Sequence, residues 1–489
     1  MKILLVSTYE LGHQPLGLAA PAAVLRARGH EVACLDLSIE SAALGTFADA
    51  GLIAISVPMH TASRLGVELA RRVRRLNGAR HIAFYGLYAT PLNDHLIHSG
   101  LADSVIGGEY EIGLAALADR LGADEYNSES PPAGVGALPL FERQLFPVPD
   151  RSGLPGLNAY AQLNLDGELR LAGYVEASRG CAHTCTHCPI TPVYGGRLRL
   201  VQKDTVLADA DQLISAGARH ITFGDPDFFN AVPHSLEIAE TLHQRHPELS
   251  FDATIKVEHL LEHSGLLPRL RSLGCLFITS AFESTDDGVL RLLAKGHTRA
   301  DLGEALALTE AAGIALRPTW VAFTPWTTSE CFLDLLDFIE TRGLVNAVQP
   351  VQYALRLLLP PGSPLIEVIG GEGRLGGFDE ERLTYQWTNP DSRLDDLQAE
   401  IAGIVENAAG CEECDDAESS ETTFLRVKQA ARRMLAGDLG AITLRPQPPK
   451  PVPGLTETWF CCAEPTTAQL APLDEALGIY PEQLPVISR

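Results

Sequence analysis

Short apolar runs alternate with helical patterns along two stretches of this 489-residue chain, and that alternation limits the fold more than any other feature. In the first stretch the runs are Ile3–Val6, Val32–Leu37, Leu52–Ser56, His81–Tyr85 and Ser104–Ile106. Helical patterns at Gly17–Arg28, Ser63–Leu76, Leu92–His98 and Glu111–Leu121 separate them. Strands that follow one another through helices pair in parallel and are covered on both faces. Residues 1–122 are therefore expected to form an α/β domain around a parallel sheet. Ligands of such sheets bind beyond the carboxyl ends of the strands. Here those ends carry the loops Thr8–Gly17, Val57–Arg64, Gly86–Thr90 and Gly107–Glu111.

Residues 123–172 read differently. NSESPPAGVGALP and PVPDRSGLPGL are rich in Ser, Pro and Gly, which predicts an extended linker. The alternation then resumes over residues 173–365. Strands are expected at Tyr174–Ser178, His220–Phe223, Ser250–Thr254, Cys275–Ser280, Ala315–Phe323 and Val345–Gln352. Six β/α units make an open, partial version of the eight-unit barrel, with its site at the carboxyl ends of the strands. Residues 366–489 form a mostly helical or irregular extension. Its helices are expected at Leu394–Asn407 and Thr423–Leu435, and Pro-rich Arg445–Gly454 should lie extended on the surface.

The chain carries 62 Asp+Glu against 38 Lys+Arg, a formal net charge of −24. That balance argues against a large nucleic-acid or anionic-membrane footprint. No apolar run is long enough for a membrane span. The N-terminal run Ile3–Val6 is too short for a signal-peptide core. A cytoplasmic protein with a small-molecule substrate is the expectation.

Seven of the ten cysteines are clustered, as Cys181/Cys185/Cys188, Cys411/Cys414 and Cys461/Cys462. Cys34, Cys275 and Cys331 lie singly in apolar stretches and read as inert core residues. Clusters in a long chain of this composition point to metal or redox chemistry rather than a disulfide framework. The C-x3-C-x2-C loop follows a strand and is interspersed with His183, Thr184, Thr186 and His187, which a buried apolar stripe would not tolerate. Three thiolates on one loop can hold three irons of a [4Fe–4S] cluster and leave the fourth iron open to a ligand.

That segment resembles the radical S-adenosylmethionine (radical SAM) superfamily. The resemblance implies a [4Fe–4S] cluster on Cys181, Cys185 and Cys188, with S-adenosyl-L-methionine (SAM) on the open iron. It also implies reductive cleavage to a 5′-deoxyadenosyl radical, with an electron donor such as flavodoxin or ferredoxin. His187 matches the position where a ring packs near the adenine, although the family more often has Tyr, Phe or Trp there. Gly224, Asp225 and Asp227 of GDPDFF match the polar contacts to the methionyl amine, and helix capping is the plainer reading of either Asp. Glu283 of SAFESTDDG stands where the family contacts the ribose or amine, with Ala281 in place of the usual Gly. Arg356 of VQYALRLLLPPGSPL either clamps the cofactor carboxylate or lies in a salt bridge.

Residues 1–122 resemble the Rossmann-like cobalamin-binding module fused ahead of many radical SAM enzymes, through QPLGLAAPAAVLRARGHEV and DSVIGGEYEIGLAAL. Ser56, Gly86, Gly107 and Gly108 are then the candidates for close backbone approach to a corrinoid. The D-x-H-x-x-G loop of cobalamin mutases is absent, and His13 does not fit that pattern. The tail WFCCAEP resembles the CUAEP/CCAEP-tail radical SAM subgroup, which makes Cys461 and Cys462 candidates for chemistry. Cys411 and Cys414 could join them in a second metal site for zinc or an auxiliary cluster. Vicinal thiols also suit a thiophilic substrate of the arsenic or selenium kind. Methyl or other alkyl transfer, or carbon–heteroatom bond formation, is the activity the resemblance implies. A non-catalytic iron–sulfur or cobalamin carrier or sensor is the remaining reading.

Overall fold

In the structure, a computed structural model, residues 1–42, 45–75, 81–128, 130–132, 135–140, 144–408, 418–438, 440, 442–447 and 452–457 are described. The N-terminal strands are Lys2–Ser7 (β1), Glu31–Asp36 (β2), Leu52–Ser56 (β3), His81–Tyr85 (β4), Ser104–Gly108 (β5) and Gly136–Leu140 (β6). They form one sheet of order β2-β1-β3-β4-β5-β6, parallel at every pair. β3 and β5 are buried at every position, as a sheet covered on both faces requires. The chain reverses its direction of travel between β1 and β3, and the crevice of an open α/β sheet lies at that switch point. Helix Leu16–Ala27 starts there. Glu10 caps it, its Oε1 accepting from Leu16 N at 3.0 Å and Gly17 N at 3.3 Å.

The segment expected as a linker supplies three strands: β6, Gln162–Leu165 (β7) and the start of Glu168–Val175 (β8). Asp166 and Gly167, both at positive φ, make the two-residue turn of the β7–β8 hairpin. A short ribbon follows, Ser178–Gly180 (β9) against Leu198–Leu200 (β10). Then come His220–Phe223 (β11), Ser250–Thr254 (β12), Cys275–Glu283 (β13) and Ala315–Trp320 (β14). β8, β11, β12, β13 and β14 run parallel side by side. Val345–Gln352, expected as a sixth strand, is turn and a 3-10 helix at Pro350–Tyr353, since Pro350 has no N–H to give a ladder. What remains of that pairing is a single parallel bridge between Phe323 and Arg356. The barrel is thus a curled half-barrel of five parallel strands.

The extension is helical where expected, at Ser392–Ala408 and Ser420–Ala431. Leu394, Leu397, Ile401, Phe424 and Val427 enter the barrel's own core. A ribbon of Leu375–Asp379 (β15) and Thr384–Trp387 (β16) lends Leu383 to the core of the N-terminal sheet. Gly454–Leu455 (β17) returns to pair antiparallel with β7. Arg317 on β14 donates to Pro453 O at 3.1 Å, so the tail spans the gap between the two edges of the half-barrel. Among the described residues no helix is long and apolar enough to cross a membrane.

Candidate active site

The carboxyl ends of the two sheets face one cavity of about 390 Å³. Cys181, Cys185 and Cys188 line it, on the loop that joins β9 to helix Ile190–Tyr194. Gly180 sets the entry of that loop. Its φ is +71°, and an added Cβ would stand 2.4 Å from Arg197 O and 2.5 Å from the Tyr194 ring. Only glycine fits such a turn. The loop is tied down from both sides. Asp225, fully buried, accepts from Ala177 N at 3.0 Å and from Ser178 Oγ. Arg179 reaches across to the N-terminal domain, 2.7 Å from Glu111, while also binding Glu176 at 2.8 Å. Burial lifts Asp225 to about 7 in spite of its two donors. Burial also lifts Glu109, beside Arg179, to about 7.

The sequence-derived candidates divide by position. His187 lines the cavity, with Nε2 3.2 Å from Glu283 Oε1. Lys295 donates to the same oxygen at 3.2 Å. Burial alone would raise the Glu283 carboxyl, but Lys295 and His187 hold it at about 2. Glu283 sits at φ +65°, an unusual conformation for a side chain and one that turns it inward at the end of β13. Asp227 is wholly buried, with Oδ1 capping Phe229 N at 3.1 Å and Oδ2 2.7 Å from His259 Nδ1. Gly224 is glycine because the Tyr174 phenol would meet its Cβ at 2.0 Å. Arg356 does not come to the cavity. It pairs with Asp395 at 2.6 Å and lies 3.6 Å over the Trp387 ring.

On the opposite wall Ser56, Gly86 and Gly108 line the cavity, whereas Gly107 packs behind it, where Thr90 Oγ1 occupies the space of a Cβ at 1.8 Å. Gly86 has φ +108°, and an added Cβ would stand 3.2 Å from the Val57 backbone. His13 also lines this wall, stacked on Tyr174 at 4.6 Å and kept neutral by burial, which lowers it to about 4. Cys411, Cys414, Cys461 and Cys462 lie outside the described residues.

Sequence reasoning missed several lining residues. Glu10 and Glu176 face the cavity near the switch point, and burial together with Glu176 lifts Glu10 to about 8. Lys256 donates to Glu258 at 2.9 Å and lies 3.1 Å from His183 Nδ1. Arg317 enters from β14, and Leu455 and Glu457 from the tail, with Tyr9 donating to Glu457 at 2.5 Å. The alternation of inward residues on β12 and β14 carried the signal for Lys256 and Arg317. His183, Asp227 and His259 bring ligand atoms within 4.8 Å of one another. The Lys256 ammonium against His183 makes that group a hydrogen-bonded chain rather than a metal site.

The residues fit the cofactors that the radical SAM resemblance implies. The three cysteines are free thiols converging on one cavity, next to the paired charges of Glu283, Lys295 and His187. On the other wall Gly86 and Gly108 present backbone rather than side chain to the cavity, and Glu10 Oε2 there is buried with no hydrogen-bond partner among the described residues.

Residues 175–338 match the radical SAM superfamily. Hopanoid C-3 methylase of Methylococcus capsulatus is 27% identical over 327 residues, covering 64% of this chain and 62% of that protein. Ribosomal protein uS12 methylthiotransferase RimO of Thermus thermophilus is 30% identical over 212 residues, covering 39% of this chain and 48% of its own. The chain thus spans about half to three-fifths of these relatives. Among solved structures, the cobalamin-dependent SAM radical enzyme OxsB with aqua-cobalamin superposes with a TM-score of 0.64 at 14% identity, over 90% of this chain and 80% of that one. The radical SAM methyltransferase TsrM of Kitasatospora setae, with tryptophan and aza-SAM, gives 0.63 at 16%, over 88% and 95%. The chain therefore carries a radical SAM superfamily domain, set in a fold that it shares with OxsB and TsrM.

Proposed function

We propose that this protein is a cobalamin-dependent radical SAM enzyme that transfers a methyl or other alkyl group to a small organic substrate held between its two sheets. One observation carries the reading: the three cysteines and the carboxyl edge of the N-terminal sheet line the same cavity. When bound, the [4Fe–4S] cluster with SAM supplies reductive carbon–sulfur cleavage, and a corrinoid supplies a methyl carrier. Cys181, Cys185 and Cys188 hold the cluster. Asp227 and the Glu283–Lys295–His187 group orient the zwitterionic end and the nucleoside of SAM through charge-assisted hydrogen bonds. Ser56, Gly86 and Gly108 admit the corrinoid by backbone approach. The apolar walls exclude water from a reactive intermediate.

The test is anaerobic reconstitution with iron, sulfide and hydroxocobalamin, followed by SAM and dithionite. The expected result is about four irons and one corrinoid per chain, with 5′-deoxyadenosine or S-adenosylhomocysteine released. Bound iron without either product would favour an electron carrier.

A second reading gives the tail thiols a share in the chemistry. It is favoured by Leu455 and Glu457, which line the cavity and stand four and more residues ahead of Cys461 and Cys462 in the sequence. Replacing both cysteines by serine should leave SAM cleavage running but uncouple it from product. Unchanged product formation would remove them from the site.

A further inference from the structure

Among the described residues four cations line the cavity, and three of them have a carboxylate at hand. Arg179 has Glu111 at 2.7 Å, Lys256 has Glu258 at 2.9 Å, and Lys295 has Glu283 at 3.2 Å. Arg317 has none within 4.0 Å among the described residues. Its recorded partners are tail carbonyls, Pro453 O at 3.1 Å and Val452 O at 3.5 Å, both taken by Nη1. Nε and Nη2 have no hydrogen-bond partner among the described residues. The one carboxylate whose charge it feels is Asp252, and Asp252 Oδ1 already accepts from His220 at 2.9 Å and Thr222 at 2.7 Å. Burial has taken enough water from the guanidinium to lower it to about 10. A half-buried charge without a counter-ion, with Nε and Nη2 open to the cavity, is a ready site for a ligand that supplies one.

We propose that Arg317 is the recognition group for a carboxylate on the organic substrate. The inference rests on the reading of this cavity as a substrate site. A guanidinium edge matches a carboxylate with two parallel hydrogen bonds. One Arg edge, without a second unpaired cation on the cavity among the described residues, suits a single negative charge rather than a phosphate. Phe277 and Leu455 give apolar surface to the same cavity for the body of the molecule. The position of Arg317 separates this carboxylate from that of SAM. Arg317 pairs in register with Thr279, whereas Glu283, beside the cysteine loop, pairs with Trp320. Three strand residues place Arg317 about 10 Å back from that end.

The test uses the reconstituted chain and a panel of aliphatic and aromatic monocarboxylates, each with its primary amide, measured by calorimetric titration. At least one acid should bind about tenfold more tightly than its amide. Arg317→Gln should abolish the preference. Arg317→Lys, which keeps the charge and a donor to the tail, should retain only part of it and gives the result if the Gln variant does not fold. S-adenosylhomocysteine affinity should stay within about twofold in either variant. A panel in which no acid outbinds its amide, or a preference that survives in both variants, overturns the assignment. So does a loss of S-adenosylhomocysteine binding, because Arg317 would then serve the methionyl carboxylate. Failure of the wild-type chain to bind S-adenosylhomocysteine at all would instead sink the radical SAM reading, and the acid–amide comparison would still decide Arg317.

Discussion

The two sheets present their carboxyl ends to one cavity and furnish it in opposite ways. The N-terminal wall is built of small residues, Gly17, Ser56, Gly86 and Gly108, with Glu10 beside them. The half-barrel wall carries Tyr174, Glu176, Asp227, Lys256, Glu283 and Arg317 alongside the three cysteines. Both walls follow from one rule, that parallel strands gather their functional loops at their carboxyl ends. The difference lies in what reaches the ligand. Backbone can come close where a Cβ is missing, which suits a large planar group bound by shape. Charged side chains placed around a polar, zwitterionic molecule bind it by complementary charge.

The largest expected effect breaks the cavity along that line. Cys185→Ala should reduce iron from about four to below one per chain and stop SAM cleavage, while hydroxocobalamin uptake persists. Gly86→Ala should do the reverse. A methyl group at φ +108°, 3.2 Å from the Val57 backbone, is strained whatever fills the cavity. Hydroxocobalamin binding should weaken about tenfold or more, with iron content unchanged. Iron determination and the corrin absorbance of the same samples read both effects. Parallel loss of iron and corrinoid in either variant would mean that the two walls do not act separately.

A second pair of substitutions sharpens the contrast within the half-barrel, where two buried carboxylates are shifted in opposite directions. Asp225, raised to about 7 by burial, holds its proton in the folded state after the unfolded chain has released it. Its contribution to stability is complete below about pH 4 and is lost as pH rises towards about 7. Glu283, held at about 2 by Lys295 and His187 against burial, behaves in the other sense. Its contribution is present above about pH 4.5 and is lost as pH falls towards about 2. The spans are worth on the order of 3–4 kcal/mol each. Urea unfolding of the cluster-free chain should therefore show a neutral-pH decline that Asp225→Asn reduces and Glu283→Gln leaves in place. The part that survives in Asp225→Asn belongs to Glu109 and Glu10, which burial raises as well, and a decline unchanged in Asp225→Asn would take Asp225 out of it.

The legible parts of the sequence were those with local signals. The cysteine spacing, the glycine in front of it and the short, almost continuously buried runs of β1, β3, β11 and β12 are each contained in a few consecutive residues. The β7–β8 hairpin was also legible, since Asp166-Gly167 joins two alternating runs, but the Pro- and Gly-rich segment before it hid the signal. The tail's return to β7 was not legible. A two-residue strand has no periodicity, and its place depends on Arg317 and Gln162, both far away in sequence. The same distance explains the exchange of arginines. Arg317 lies within a strand-like run and Arg356 just after one, and only the curl of the sheet decides that one faces the cavity and the other faces Asp395.

The smallest expected effect concerns that exchange. The Arg356 guanidinium lies over the Trp387 ring, donates to the Trp387 carbonyl and pairs with Asp395, with 27% of its side chain still exposed. Asp395 in turn accepts from Asn389 N at 3.1 Å, so the group staples β16 to the start of helix Ser392–Ala408. Exposed pairs and cation–π contacts are worth about 1 kcal/mol each or less. Arg356→Ala should therefore lower unfolding stability by about 1–2 kcal/mol, and Arg356→Lys, which keeps the charge but loses the planar stack, by less. Guanidinium unfolding of the two variants measures this. A fall in S-adenosylhomocysteine affinity that exceeds the fall in stability would return Arg356 to the cofactor and contradict the placement of its side chain against Trp387.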